Sequence, residues 1–80
     1  MPEDVRIFRE EKFVELDEEY TRLTSDPKNL AKRLQPTAEI KNYYRKAHFY
    51  HGKDNLRMAL TFLNIAINLY KQKIGFVEVE

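Results

Sequence analysis

Eighty residues, 42% apolar and without cysteine, suffice for one small hydrophobic core and exclude disulfide or thiolate-metal stapling of the fold. The net charge of +1 hides a polarised layout. Residues 1–26 carry nine acids against four bases, residues 27–74 carry ten bases against two acids, and the last six residues add two acids. Either the acidic N-terminal part lies against the basic remainder, or each half presents its own field to a partner. The N-terminus lacks an apolar leader-like run, and the most apolar stretch, Met58 to Leu69, is short and interrupted by Thr61, Asn64 and Asn68. No membrane segment is expected, and the composition reads as a soluble cytoplasmic chain forming a single helical domain over residues 1–80.

In chain order, Val5, Phe13, Leu16, Tyr20 and Leu23 fall on one side at 100° per residue and predict an amphipathic helix over about residues 4–24. The run Thr24-Ser25-Asp26-Pro27 stops that helix and restarts the chain. Asp26 can accept from the free N–H groups of a short helical turn, residues 27–34, whose first residue is a proline. Pro36 then forces a break, because its ring clashes with the carbonyl four residues back. Helix resumes over residues 37–51 and ends where Gly52 is expected to adopt the left-handed conformation of a C-terminal cap. Asp54 is expected to cap a last helix over residues 54–74, with Gly75 as its terminator.

Beyond Gly75 the sequence Phe76-Val77-Glu78-Val79-Glu80 alternates with a period of two. Such a pattern suits either an extended tail or a short strand paired with Asp4 to Phe8, which would bring Glu78 and Glu80 near Arg6 and Arg9. The expected architecture is all-α: a three-helix bundle with a short extra turn and an extended C-terminal tail.

The two later helices form a hairpin. Ile40, Tyr43, Ala47 and Tyr50 make a stripe on one, with Tyr44 and His51 at its edge. Leu56, Ala59, Leu60, Leu63, Ala66, Ile67 and Tyr70 make the matching stripe on the other, and the alanines let the backbones approach closely. Tyr43, Ala47, Tyr50, Ala59, Leu63 and Ala66 resemble the pattern of one tetratricopeptide repeat, with Lys71 where a closing proline is usual; a single repeat builds no solenoid. The chain is more similar to the archaeal domain-of-unknown-function family 357, which has an N-terminal helix followed by a hairpin with paired tyrosines, a small residue, a Gly-Asp-type turn, then Ala-Leu and Asn-Tyr-Ala. Those features read here as Tyr43 and Tyr44, Ala47, Gly52 with Asp54, Ala59 with Leu60, and Asn64, Ile65, Ala66, over residues 37–75. Lys46 and Lys71 stand where that family places acids. The resemblance implies an archaeal helical hairpin module and assigns no activity.

Catalytic and metal chemistry find little support. His48 and His51 are three apart on one helix, but only Asp54 stands near as a third ligand, so His51 is expected near the helix cap and His48 in solvent. No metal and no cofactor are expected. Ser25, the sole serine, lies in a turn, and no glycine-rich phosphate loop exists. The reading is a non-enzymatic module.

Two surfaces invite partners. Phe49 points away from the Ile40 stripe; either Leu30 and Leu34 of the short turn cover it, or it stands exposed for docking. Around it Lys41, Arg45, Lys46, Lys53 and Arg57, with Lys28, Lys32 and Arg33, could form a nucleic-acid patch. On the last helix a second apolar set, Met58, Phe62, Ile65 and Leu69, lies about 140° around the axis from the hairpin stripe. The first helix can cover part of it with Phe13, Leu16, Tyr20 and Leu23. The remainder is expected to serve a homodimer or a protein partner; an accessory subunit binding nucleic acid through the basic face is the alternative.

Overall fold

The computed structural model describes the backbone of residues 2–31 and 35–79 and the side chains of residues 5–29 and 35–75. Within them the chain forms four helices and no strand: α1 (Pro2–Ser25), α2 (Pro27–Ala31), α3 (Ala38–Gly52) and α4 (Leu56–Val79). The three long helices run up, down and up as an elongated bundle of 47 × 20 × 18 Å. No helix among the described residues is long and apolar enough to cross a membrane.

Local chemistry sets the helix ends. Asp26 Oδ1 accepts the Lys28 N–H at 2.9 Å and opens α2 at Pro27, as its sequence suggests. Asn29 is the one buried polar side chain among the described residues; its Nδ2 donates to the Leu23 carbonyl at 2.8 Å and ties α2 to the end of α1. After the Pro36 break, Thr37 Oγ1 accepts the Ile40 N–H at 3.2 Å and starts α3.

The elbow differs from expectation. Gly52 has no positive φ and is the last helical residue of α3, whereas Asp54, at φ 61°, takes the left-handed position. The Asp54 N–H donates to the His51 carbonyl at 3.1 Å and the Asn55 N–H to the Tyr50 carbonyl at 2.9 Å, which together close a Schellman turn. Aspartate tolerates this conformation better than most residues. The cap of α4 is consequently Asn55, whose Oδ1 accepts the Met58 N–H at 3.2 Å.

The C-terminal segment is also corrected. α4 continues through Gly75 to Val79, so neither an extended tail nor a strand forms there, and the proposed partner strand lies inside α1. A glycine in helical conformation costs only about 1 kcal/mol against alanine, too little to end a helix by itself. The suggested approach of Glu78 and Glu80 to Arg6 and Arg9 concerns side chains outside the described residues.

The core is the junction of three stripes. Phe13, Leu16 and Tyr20 of α1, Ile40 and Ala47 of α3, and Ala59, Leu63, Ala66, Ile67 and Tyr70 of α4 form one buried cluster. The fully buried Ala47, Ala59 and Ala66 let α3 and α4 pack closely. α4 is the central element. The Tyr70 hydroxyl donates to the Leu23 carbonyl at 3.4 Å and Lys71 Nζ lies 2.6 Å from Glu19 Oε1, which fixes α1 on one flank. Phe62 lies against Tyr50 and Tyr43, with ring centroids 5.5 and 6.0 Å apart, which fixes α3 on the other. Burial of this kind is worth roughly 25 cal/mol per Å² of apolar surface and is the main stabilising term available without staples.

Candidate functional site

The histidines join α1 to α3. Glu10 Oε1 lies 2.5 Å from His51 Nε2, and that imidazole stacks on Phe13 at a centroid distance of 4.2 Å. Two turns along α1, Asp17 Oδ1 accepts the Tyr44 hydroxyl at 2.5 Å and stands 3.2 Å from His48 Nε2, while Tyr44 stacks on Tyr20 at 4.1 Å. An ionised carboxylate only accepts, so each Nε2 facing one carries the proton. Burial, and then the Asp17 carboxylate, hold the Tyr44 hydroxyl well above its ordinary pKa, so it remains a donor. His48 is exposed, as expected, and also faces a carboxylate of α1, whereas the side chain of His51 meets Glu10 of α1 instead of the helix cap. The signal was Glu10 and Asp17, seven apart and therefore on one edge of α1, but sequence gives no register against α3. Among the described residues no set of three or more His, Cys, Asp or Glu is placed to hold a metal ion.

Phe49 stands clear of the bundle with 58% of its surface exposed. The Leu34 invoked as its cover lies outside the described residues, as do the Leu30 side chain and residues Lys32 and Arg33. Lys53 Nζ sits 5.6 Å from the Phe49 ring centroid, a cation–π contact, and Lys41 and Arg45 follow on the same outward strip of α3 at intervals of four. Lys46 leans the other way, 5.6 Å from the Phe62 ring and 5.7 Å from that of Tyr43. Arg57 belongs to a different place: with Arg6, Arg9 and Val5 it lines an open depression at the start of α4, where Arg6 Nη2 pairs with Asp54 Oδ1 at 2.7 Å. Lys28 is exposed on α2. The five cations assigned to one patch therefore divide, with Lys41, Arg45 and Lys53 grouped around Phe49.

No family model, curated protein or solved structure matches this chain. Function must be argued from the surface alone.

The second apolar set on α4 is largely occupied. Met58, Phe62, Ile65 and Leu69 are each half-buried, and Phe62 and Leu69 pack on the core. The cover over Phe62 comes from Tyr43 and Tyr50 of α3 rather than from α1, whose stripe takes the opposite flank. Large apolar side chains that remain exposed lie on two helices among the described residues: Val5, Ile7, Phe8 and Val14 on α1, and Phe49 on α3. Sequence reasoning passed over Ile7 and Val14, although at 100° per residue both fall opposite the Phe13, Leu16, Tyr20 stripe.

Among the described residues the ion pairs that join helices lie on inner edges, and Lys12–Glu15 is a pair within α1. Arg6–Asp54, Lys71–Glu19 and the two histidine–carboxylate pairs join α1 to the rest. Among the described residues no carboxylate pairs with Lys41, Arg45, Lys46 or Lys53, and no cation pairs with Glu11 or Glu18 on the outer face of α1.

Proposed function

We propose that this chain is a small non-enzymatic docking module whose contact surface is the outward face of α3. The observation that carries the reading is Phe49, 58% exposed on a rigid helix and bordered by cations with no internal counter-charge among the described residues. An aromatic anchor supplies burial on contact, and the surrounding cations steer an acidic protein surface into register. The titratable groups most suggestive of chemistry, Asp17, Tyr44, His48, Glu10 and His51, are engaged in holding α1 to α3, which favours an architectural use of them.

The same exposed ring among cations also favours a second reading, base stacking with phosphate contacts. The acidic α1, nine acids within residues 1–26, opposes it by repelling the phosphate backbone. The test places the photoreactive p-benzoylphenylalanine at position 49 in native lysate, with the exposed position 72 of α4 as control. A docking module gives protein adducts at position 49 that survive nuclease treatment. Adducts removed by nuclease, or a position 49 indistinguishable from position 72, would overturn the proposal.

A further inference from the structure

The structure points to a second copy of this chain as the occupant of the α3 face, an inference that rests on the docking reading above and names the partner. We infer that α1 of one copy lies antiparallel across α3 of the other, and reciprocally, in a two-fold dimer. The argument is complementarity between two unsatisfied surfaces of one molecule. The outer strip of α1 carries exposed Ile7 and Val14 beside Glu11 and Glu18, which have no internal counter-charge among the described residues. The outer strip of α3 carries exposed Phe49 beside Lys41, Arg45 and Lys53, which have none either. Each strip offers what the other lacks: an apolar centre with a rim of opposite sign.

Register follows from helix geometry. Both strips are about three turns long, roughly 16–18 Å at 1.5 Å per residue. An antiparallel alignment that seats Phe49 between Ile7 and Val14 sets Glu18 across from Lys41, places Arg45 level with Val14 between Glu11 and Glu18, and brings Ile7 level with Lys53. The parallel alignment places Arg45 against Ile7 and leaves Glu18 beyond the end of α3. The two strips point outward from different helices, so one molecule cannot satisfy itself, whereas a two-fold axis makes each contact twice.

The experiment is a charge swap read by sedimentation velocity, with circular dichroism verifying that each variant keeps its helices. All four substituted positions are surface residues, so the fold is not at stake. Wild type is expected to dimerise, more weakly at about 500 mM than at about 50 mM salt because the rims are solvent-exposed. Glu11→Lys with Glu18→Lys in one chain, or Lys41→Glu with Arg45→Glu in another, should each weaken self-association at least tenfold. Mixing the two variants should restore it, since the heterodimer again pairs opposite charges at both contacts. In parallel, a Val14→Cys chain mixed with an Arg45→Cys chain should form a mixed disulfide; the cysteine-free sequence makes that bond diagnostic. A wild type still monomeric at about 1 mM, variants that associate as tightly as wild type, or a mixture no tighter than its components overturns the inference. A monomeric wild type that gives nuclease-resistant protein adducts at position 49 would overturn the second copy alone and leave the docking module standing.

Discussion

Replacing Gly52 by alanine is expected to stabilise the protein, contrary to the reading of Gly52 as a left-handed cap. Gly52 ends α3 in helical conformation, and a Cβ built on it meets nothing within 4 Å. Alanine therefore gains by restricting the unfolded chain, about 0.4–1 kcal/mol at a compatible position, with the lower half of that range apt for the last helical residue. At roughly 2.1 cal/mol/K per residue, a domain of this size shifts its melting midpoint by about 6 °C per kcal/mol, so the expected rise is about 2–4 °C. The neighbouring position should respond with the opposite sign. Asp54 holds φ 61°, and Asp54→Val forces a β-branched residue into that region at a cost of about 1–2 kcal/mol. Part of any Asp54 effect is the loss of its ion pair with Arg6, an exposed pair worth about 0–1 kcal/mol. Asp54→Asn isolates that part, because asparagine keeps the left-handed tolerance and loses the charge. Thermal unfolding followed by helical circular dichroism, with urea midpoints alongside, measures all three variants. A lowered midpoint for Gly52→Ala, or an Asp54→Val variant as stable as Asp54→Asn, would refute the assignment of the turn.

Asp17→Ala removes the acceptor of a half-buried hydroxyl and should cost roughly 1–3 kcal/mol in urea unfolding; combined with Tyr44→Phe it should cost less than the two single effects together, because they share one hydrogen bond. Burial raises the pKa of Tyr20, Tyr44 and Tyr70, helped by Tyr70 beside Tyr20, by Asp17 beside Tyr44 and by Asp26 beside Tyr70. The folded state therefore keeps phenolic protons that the unfolded state releases, so this stability is complete below the ordinary tyrosine pKa of about 10 and is lost as pH rises through the raised values, which a spectrophotometric tyrosine titration run beside an alkaline unfolding curve should show as coupled events. Ala66→Leu adds volume at a fully buried site of the core cluster and should cost about 1–3 kcal/mol by overpacking, read as a lower urea midpoint. Ile65→Glu should leave both helicity and association in sedimentation velocity unchanged, since Ile65 is half-buried and outside the core cluster; a monomeric but folded variant would move the dimer contact to α4.

Periodicity made most of the bundle legible. The stripes through Phe13, Ile40 and Leu63 name most of the observed core because a helix buries what recurs at its own pitch, but Val5, placed on the first stripe, is exposed. Asp26-Pro27 and Pro36 divide the chain where expected, since a missing N–H and a fixed φ act locally. The elbow was misread because Gly52 and Asp54 are both admissible in the left-handed region, and the choice depends on where the last intrahelical hydrogen bonds close. The run after Gly75 was misread because alternation predicts a strand only if a neighbouring strand exists to pair with it, which is a tertiary fact. The histidine ties were invisible for a related reason: residues 41 and 31 positions apart meet only once α1 and α3 are docked. The outer face of α1 was legible and passed over, since attention to the buried stripe left Ile7 and Val14 unread.

Docking of α1 against α4 also imposes an order on synthesis. A ribosome releases Glu19 and Leu23 long before Lys71 and Tyr70, the residues they meet. Throughout that interval Phe13, Leu16 and Tyr20 have no core to enter, and an amphipathic helix in that position would ordinarily invite aggregation. The same acids that leave the finished surface of α1 uncompensated supply mutual repulsion between nascent chains, while α3 and α4, joined by a short turn, can close on each other as soon as α4 emerges. On that account, the acidity of the first helix bears on the chain while it is being made as well as on its finished surface.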